Sequence, residues 1–289
     1  ALSRRATLIT MPRFDLPQFL QIIQDQKVTF VFIAPPVAVA LAKHPIVDQY
    51  DLSSVRGMLS GAAPLDAALG EAVAKRLGIT VQQGYGMSEL SPVSHVIPPG
   101  RSDLSVGSIG FPIANVECKI VDTETGAEID QPAEGASEPG ELWVRGPNVM
   151  VGYLGQDDAT HETVDADGFL HTGDIARVNA DGSFQIVDRL KELIKYKGYQ
   201  VAPAELEALL LTHPEIIDAA VVAELDDEAG EIPKAFVVRR EGSDIDEEVV
   251  ISFVAEHVAP HKKVRKVAFI DAVPKSSAGK ILRKDLKGR

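Results

Sequence analysis

The sequence predicts three consecutive architectures: a parallel α/β segment over residues 1–100, an antiparallel β-barrel or sandwich over 101–188, and a small α+β domain over 189–289. Three observations carry this. Strand-like and helix-like runs alternate between 15 and 83. After Pro98-Pro99-Gly100 the pattern changes to short strand-like runs separated by turn residues. Beyond Arg189 the order becomes strand, helix, strand, strand, helix, strand.

Taken in order, 15–27 reads as a helix, with Asp15 at the N-cap, Pro17 in the first turn and Phe19, Leu20, Ile22 and Ile23 on an apolar face. A strand over 28–33, a helix over 36–43, a strand over 56–60, a helix over 66–77 and a strand over 81–83 complete the first segment. Strands are expected next over 117–121, 141–144, 169–174 and 183–187, with 126–140 a loop. Asn179-Ala180-Asp181-Gly182-Ser183 sets Asp-Gly between two strand-like runs, the mark of a hairpin turn. In the last segment helices are expected over 203–211 and 246–257, and strands over 219–223 and 235–238.

The composition is that of an ordinary globular protein: 289 residues, 45% hydrophobic, with 29 Lys plus Arg against 42 Asp plus Glu. The net charge of −13 opposes general affinity for nucleic acid, so a phosphate ligand must meet a local basic site. No apolar run is long enough for stable membrane insertion. The single cysteine, Cys118, cannot form an internal disulfide, which fits a reducing, cytoplasmic location. The chain opens on Ala1 and enters an apolar segment at once, which reads as a processed chain or a piece of a longer one.

Several familiar sites fail on spacing. Gly84-Tyr85-Gly86-Met87-Ser88-Glu89 starts like a dinucleotide fingerprint but carries Glu89 where the third glycine belongs. Ser277-Ala278-Gly279-Lys280-Ile281 lacks the first glycine and the Mg-binding hydroxyl of a P-loop. Gly86-Met87-Ser88-Glu89-Leu90 lacks the second glycine of a nucleophile elbow, and Pro260 interrupts His257 and His261, so no helical metal pair forms.

The segment 84–89 nevertheless combines permissive backbone, a hydroxyl and an acid, which suits phosphate plus Mg²⁺: Ser88 can donate to a phosphate oxygen, and Glu89 can approach it once a divalent ion neutralises the pair. The plainer reading is a strand-to-helix turn capped by Ser88. Five motifs then occur in order: Gly61-Ala62-Ala63-Pro64-Leu65, Gln83-Gly84-Tyr85-Gly86-Met87-Ser88-Glu89, His171-Thr172-Gly173-Asp174, the run from Asp188-Arg189-Leu190-Lys191 through Lys195-Tyr196-Lys197-Gly198-Tyr199-Gln200 to Glu205, and Pro274-Lys275-Ser276-Ser277-Ala278-Gly279-Lys280. Together they resemble the adenylate-forming acyl-CoA synthetase superfamily, nearest to the 4-coumarate:CoA ligases and firefly-luciferase-like enzymes, over essentially the whole chain.

That resemblance implies the adenylate-forming fold with its large N-terminal domain incomplete, a barrel-like middle subdomain, and a C-terminal domain that rotates about a hinge near Lys191. It implies that Tyr85 stacks on adenine, that Gly61, Ala62, Ala63 and Pro64 wall the same pocket, and that Gly84, Gly86 and Ser88 approach the phosphates, Ser88 standing where the family usually has threonine. Glu89 would hold Mg²⁺. Asp174 would accept both ribose hydroxyls, Arg189 would bind the ribose and phosphate edge, and Lys280 would reach the carboxylate and α-phosphate during adenylation. After rotation Lys195, Gly198 and Gln200 would face the adenylate. Read without the resemblance, Asp174 is a turn cap, Lys280 a solvated loop residue, and Lys195 with Lys197 the solvent side of an edge strand.

The implied reaction has two steps. A carboxylic acid attacks ATP·Mg to give acyl-AMP and pyrophosphate, and the thiol of coenzyme A then displaces AMP. Lys262, Lys263, Arg265 and Lys266 are either receivers for the CoA phosphates or a solvated basic face. Residues 33–37, the Gly61 turn and Pro92-Val93 are candidate walls for a hydroxycinnamate or a medium-chain fatty acid. Relatives carry, upstream of the region matching Met11-Pro12-Arg13-Phe14-Asp15, a phosphate-gripping loop and an aromatic-plus-His segment that these residues lack. The chain is therefore expected to be a C-terminal portion that needs the missing N-terminal portion as its partner, with exposed apolar edges over 1–100. A truncated nucleotide-binding or interaction module, and an adenylation domain that loads a carrier protein, are the alternatives.

Overall fold

Asp15 begins the first helix as its spacing predicts. Its carboxylate accepts from the Gln18 N–H at 2.9 Å, and α1 (Leu16–Gln26) ends where Lys27 turns left-handed at φ 48°. The computed structural model describes residues 5–61, 65, 67–98, 100–101, 103–104, 107–276 and 280–287. They form two compact units, 1–82 and 83–289.

In the first unit α1 buries Leu20 and Ile23. Strand β1 (Phe30–Ile33) pairs in parallel with β2 (Gly57–Ser60), Phe30 opposite Gly57, as alternating strands and helices require. Helices α2 (Pro35–Lys43) and α3 (Ala67–Leu77) accompany them. Arg76 of α3 donates to the Leu41 and His44 carbonyls at the C-terminus of α2 and pairs with Asp48. The period of β1 buries Val31 and Ile33 and leaves Phe32 71% exposed. An exposed apolar edge was expected in this region.

Strand β3 (Thr80–Gly86) runs into the second unit and pairs antiparallel with β4 (Val93–Val96), which pairs with β5 (Phe111–Pro112). The next strands are β6 (Glu117–Val121), β7 (Glu128–Ile129), β8 (Gly140–Arg145), β9 (Leu170–Val178) and β10 (Phe184–Arg189). They form an antiparallel sheet in the order β10-β9-β8-β6-β7. The two-residue β7 falls inside the expected loop 126–140, because it is held by pairing with β6 and has too few residues to show a period. The β9–β10 hairpin turns where Asp-Gly predicts: Gly182 adopts φ 81°, and the Asp181 carboxylate accepts from the Ser183 amide and hydroxyl. Strand β8 alternates strictly, with Leu142 and Val144 in the core and Glu141, Trp143 and Arg145 on the opposite face. Short α4 (Asp157–Thr163) lies between β8 and β9 in the chain.

The last part of the unit contains β11 (Ile194–Tyr196), β12 (Tyr199–Val201), α5 (Pro203–Leu210), β13 (Ile216–Asp226), β14 (Gly230–Arg239), α6 (Glu247–His257) and β15 (Lys266–Phe269). The sheet order is β12-β11-β14-β13, with β15 parallel to β14. One core is formed by Leu206 and Leu210 of α5, Val250 and Val254 of α6, and Val221, Ala235 and Val237 of the sheet. Residues of opposite parity, Ala220, Val222, Phe236 and Val238, pack against Val273 and Leu286, so the C-terminal segment covers the other face. Among the described residues, no helix is long and apolar enough to cross a membrane.

That segment is pinned by a buried ion pair. Arg283 Nη2 lies 2.7 Å from Glu207 Oε2, with side chains 13% and 10% exposed, and Glu207 Oε1 accepts from the Val221 amide. Burial raises the Glu207 carboxyl against the pull of Arg283. Glu207→Ala would strand the guanidinium, and urea unfolding is expected to show a loss of about 3 kcal/mol.

Candidate active site

The site is built around a break in β9. Between the pairs Trp143–His171 and Glu141–Ile175, β8 advances two residues while β9 advances four. Thr172-Gly173-Asp174 is therefore a bulge, unpaired with β8, although Asp174 still pairs with Arg189 of β10. Side chains replace the lost partners. Thr172 Oγ1 donates to the Leu142 carbonyl at 2.7 Å and accepts from the Asp174 amide at 3.1 Å, while the Gly173 amide donates to Glu141 Oε1 at 2.8 Å. Gly173 adopts φ 68°, a conformation that glycine takes without a Cβ penalty.

The bulge presents Asp174, whose side chain is only 13% exposed. Tyr85, at the end of β3, donates its hydroxyl to Asp174 Oδ2 at 2.6 Å, and Arg189, opposite Asp174 across the β9–β10 pair, brings Nε to 3.5 Å from Oδ1. Burial raises the Asp174 carboxyl above its ordinary value, opposed by the Tyr85 hydroxyl and by the charges of Arg189 and Lys280. Burial, with Asp174 beside it, pushes the Tyr85 phenol far up, so the phenol remains a donor. Lys280 is close enough to feel both Asp174 and Arg189, and burial followed by Arg189 repulsion lowers its ammonium. Glu141 also acts on Asp174, and Glu192 and Arg283 act on Lys280, so cations and carboxylates interleave around the Asp174 side chain.

Behind Tyr85 lies His95, fully buried, its ring edge-on to Tyr85 at 5.9 Å and to Phe184 at 4.9 Å. Burial depresses its pKa to about 3, so it is a neutral wall, with Nδ1 at 2.9 Å from Ser94 Oγ. Glu89, in a short 3₁₀ turn after β3, accepts from the Tyr153 hydroxyl at 2.8 Å through Oε1, and its main-chain carbonyl accepts from Met150 N. Its second oxygen has no hydrogen bond among the described residues. That donor fits Mg²⁺, which takes one or two carboxylates when phosphates and water supply the rest. Among the described residues, no group of three or more His, Cys, Asp or Glu could hold a metal without such help.

The other sequence-derived positions are distributed as follows. Gly86 is required sterically, since a Cβ there would overlap the Pro92 carbonyl; Gly84 pairs with Val96 in β4, and Ser88 is exposed at the start of the 3₁₀ turn and caps no helix. Gly61, in the first unit, donates its amide to Ile33 O, while Ala62, Ala63 and Pro64 lie outside the described residues. Lys191 is exposed on the turn after β10. Lys195 and Gln200 are cross-strand partners in the β11–β12 hairpin, whose turn uses Lys197 at φ 48° and Gly198 at φ 84°. Lys195 is solvent-facing, and Gln200 reaches Thr123 at 3.3 Å, so neither joins the Asp174 cluster in this arrangement. In the basic segment, Lys262 is paired with Glu205 and Lys266 with Glu224. Glu141, Tyr153 and His95 escaped the sequence reading. The only local signal was for Glu141, which alternation places on the outer face of β8.

The profile of the AMP-binding enzyme family matches residues 1–154, and that of the AMP-binding enzyme C-terminal domain matches residues 205–280. The chain is 49% identical, over 293 aligned positions, to 4-coumarate--CoA ligase 1 of Solanum tuberosum, covering 100% of this chain and 53% of that protein. It is 49% identical over 288 positions to 4-coumarate:CoA ligase 1 of Petunia hybrida, covering 98% of this chain and 52% of that one. It thus spans about half the length of the curated relatives it matches. Among solved structures it is similar to ATP-bound MatB from Rhodopseudomonas palustris, with TM-score 0.88, 28% identity and coverage of 96% of this chain and 54% of that one. It is also similar to the anthranilate CoA ligase AuaEII in complex with anthranoyl-AMP, with TM-score 0.78, 30% identity and coverage of 93% and 51%.

A carboxyl whose pKa is raised by burial contributes stability at low pH that is lost as pH rises through its folded-state pKa. Asp174→Asn keeps an acceptor for Tyr85 and removes the buried charge. At pH 7 its thermal midpoint is expected about 2 °C above the parent, with the gain vanishing below about pH 4, while AMP affinity falls. Calorimetry across pH checks all three.

Proposed function

The chain belongs to the AMP-binding enzyme family, and from that premise we propose that the protein is an ATP-dependent acid–thiol ligase, converting a carboxylic acid to its acyl-CoA through acyl-AMP. The observation that carries the reading is the convergence of Tyr85, Asp174 and Arg189, drawn from three of the five sequence motifs, with Lys280 acting on Asp174 through its charge. The identity to 4-coumarate--CoA ligases supports a hydroxycinnamate as the acid, with a medium-chain fatty acid as the neighbouring choice.

In the first step a carboxylate oxygen of the acid attacks the α-phosphorus of ATP, the bond to the bridging β-oxygen breaks, and pyrophosphate leaves. Asp174 accepts from the ribose hydroxyls, the Tyr85 ring stacks on adenine, and Arg189 and Lys280 offset the charge that accumulates on the α-phosphate. Ser88 donates to a phosphate oxygen, and Gly84 and Gly86 allow close backbone approach. Glu89, oriented by Tyr153, would hold Mg²⁺, which would supply charge neutralisation for the phosphates.

In the second step the CoA thiol, having released its proton, attacks the acyl carbon and expels AMP. The C-terminal part, 189–289, rotates about Lys191 relative to 101–188, a barrel-like subdomain, and to 1–100, and brings Lys195, Gly198 and Gln200 to the adenylate. Lys263 receives a CoA phosphate, its neighbours Lys262 and Lys266 being paired with Glu205 and Glu224. An upstream portion supplies the loop that grips the β- and γ-phosphates.

ATP–pyrophosphate exchange with a panel of cinnamates and fatty acids tests the reading. Exchange stimulated by a cinnamate supports it, and exchange with no acid, in the presence of the upstream portion, would remove it. Lys280→Ala is expected to lower adenylation by about 10²-fold or more while changing thioester formation from supplied acyl-AMP only a few-fold; equal losses would remove Lys280 from the first step. Tyr153→Phe should raise the Mg²⁺ concentration for half-maximal exchange by about five-fold, with the rate restored at high Mg²⁺.

A further inference from the structure

Strand β8 contributes one more residue to the site. Glu141 Oε1 accepts from the Gly173 amide and Oε2 accepts from the indole Nε1–H of Trp143, both at 2.8 Å. Both oxygens thus face N–H donors, an arrangement that an ionised carboxylate satisfies and an amide cannot, since glutamine has one acceptor oxygen and an NH₂ that would face a second N–H. The Trp143 ring is held in turn by a stack on His171 at 3.7 Å and by Lys119 at 4.9 Å, so the carboxylate is braced through its second oxygen as well.

We infer that Glu141 is a positioning residue for nucleotide binding: by fixing the Gly173 peptide it fixes the direction in which Asp174 projects. The inference rests on the reading of Asp174 as acceptor of the ribose hydroxyls. The left-handed Gly173 amide has left the strand ladder, and Glu141 is the group that satisfies it. Without that acceptor the peptide can rotate, and the Asp174 carboxylate, one residue on, moves with it. Tyr85 and Arg189 bind Asp174 at its tip, whereas Glu141 acts on the backbone that carries it.

The test compares the affinity of the protein for AMP and for 2′,3′-dideoxy-AMP, which differ only in the hydroxyls assigned to Asp174. Glu141→Gln is expected to weaken AMP by about ten-fold while changing dideoxy-AMP less than about two-fold, the size of one lost charge-assisted hydrogen bond. Trp143→Phe, which removes only the outer brace, is expected to weaken AMP selectively by about two- to three-fold; it carries the test should Glu141→Gln fail to fold. Equal loss for both nucleotides, or no selective loss in either variant, overturns the inference and leaves Glu141 a structural residue. Asp174→Asn separates the two levels. If it abolishes the preference for AMP while Glu141→Gln leaves that preference intact, Glu141 alone is wrong; if it leaves the preference intact, the ribose assignment falls and the inference with it.

Discussion

Backbone that leaves a sheet must find new hydrogen-bond partners, and the site depends on how β9 meets that demand. A strand that stayed in register through residues 171–175 would send successive side chains to alternate faces and keep every amide in the ladder. The bulge breaks that rule. It frees the amides of Gly173 and Asp174, and the structure answers with the side chains of Glu141 and Thr172. An unpaired buried amide costs about 1–3 kcal/mol, so these side chains are a condition for the bulge. Asp174 reaches the interior of the site because its neighbours make an irregular backbone tolerable.

The charges around Asp174 form an unfinished set. One carboxylate, raised by burial, faces Arg189 and Lys280, and Lys280 is lowered by burial and by repulsion from Arg189. The lowered Lys280 ammonium records a cost that an anion between the two cations would reduce, whereas the same anion would raise the Asp174 carboxyl further. The Arg283–Glu207 pair supports this set from outside. It anchors the chain three residues beyond Lys280, and Leu286 and Ile281 pack the same segment onto the sheet. A lysine on a free tail would spread its charge over many conformations; with the following segment anchored at the ion pair and the core, its ammonium acts on Asp174 and Glu192.

The wall behind Tyr85 is apolar and aromatic. His95, neutral because it is buried, and Phe184 meet at ring edges, and the Tyr85 hydroxyl is the polar exit from this cluster toward Asp174. Low local polarity strengthens that hydrogen bond and raises the energetic cost of leaving Asp174 unpaired.

Short-range chemistry was legible in the sequence. The Asp15 cap and the Asp-Gly hairpin at 181–182 each depend on residues within a few positions of one another, and the structure places them as expected. The motifs also named Tyr85, Asp174, Arg189 and Lys280, but as separate entries along the chain. Their contacts were decided only by the fold, because Tyr85 and Asp174 are 89 residues apart, Tyr153 and Glu89 are 64 apart, and Glu141 and Gly173 are 32 apart. No periodicity or propensity spans such distances. Strand β7 was missed for the related reason that its pairing with β6, not its two residues, makes it a strand. Local sequence determines which backbone conformations and chemical groups are available; which of those groups meet, and which become buried enough to change their ionisation, is settled only when distant strands pair.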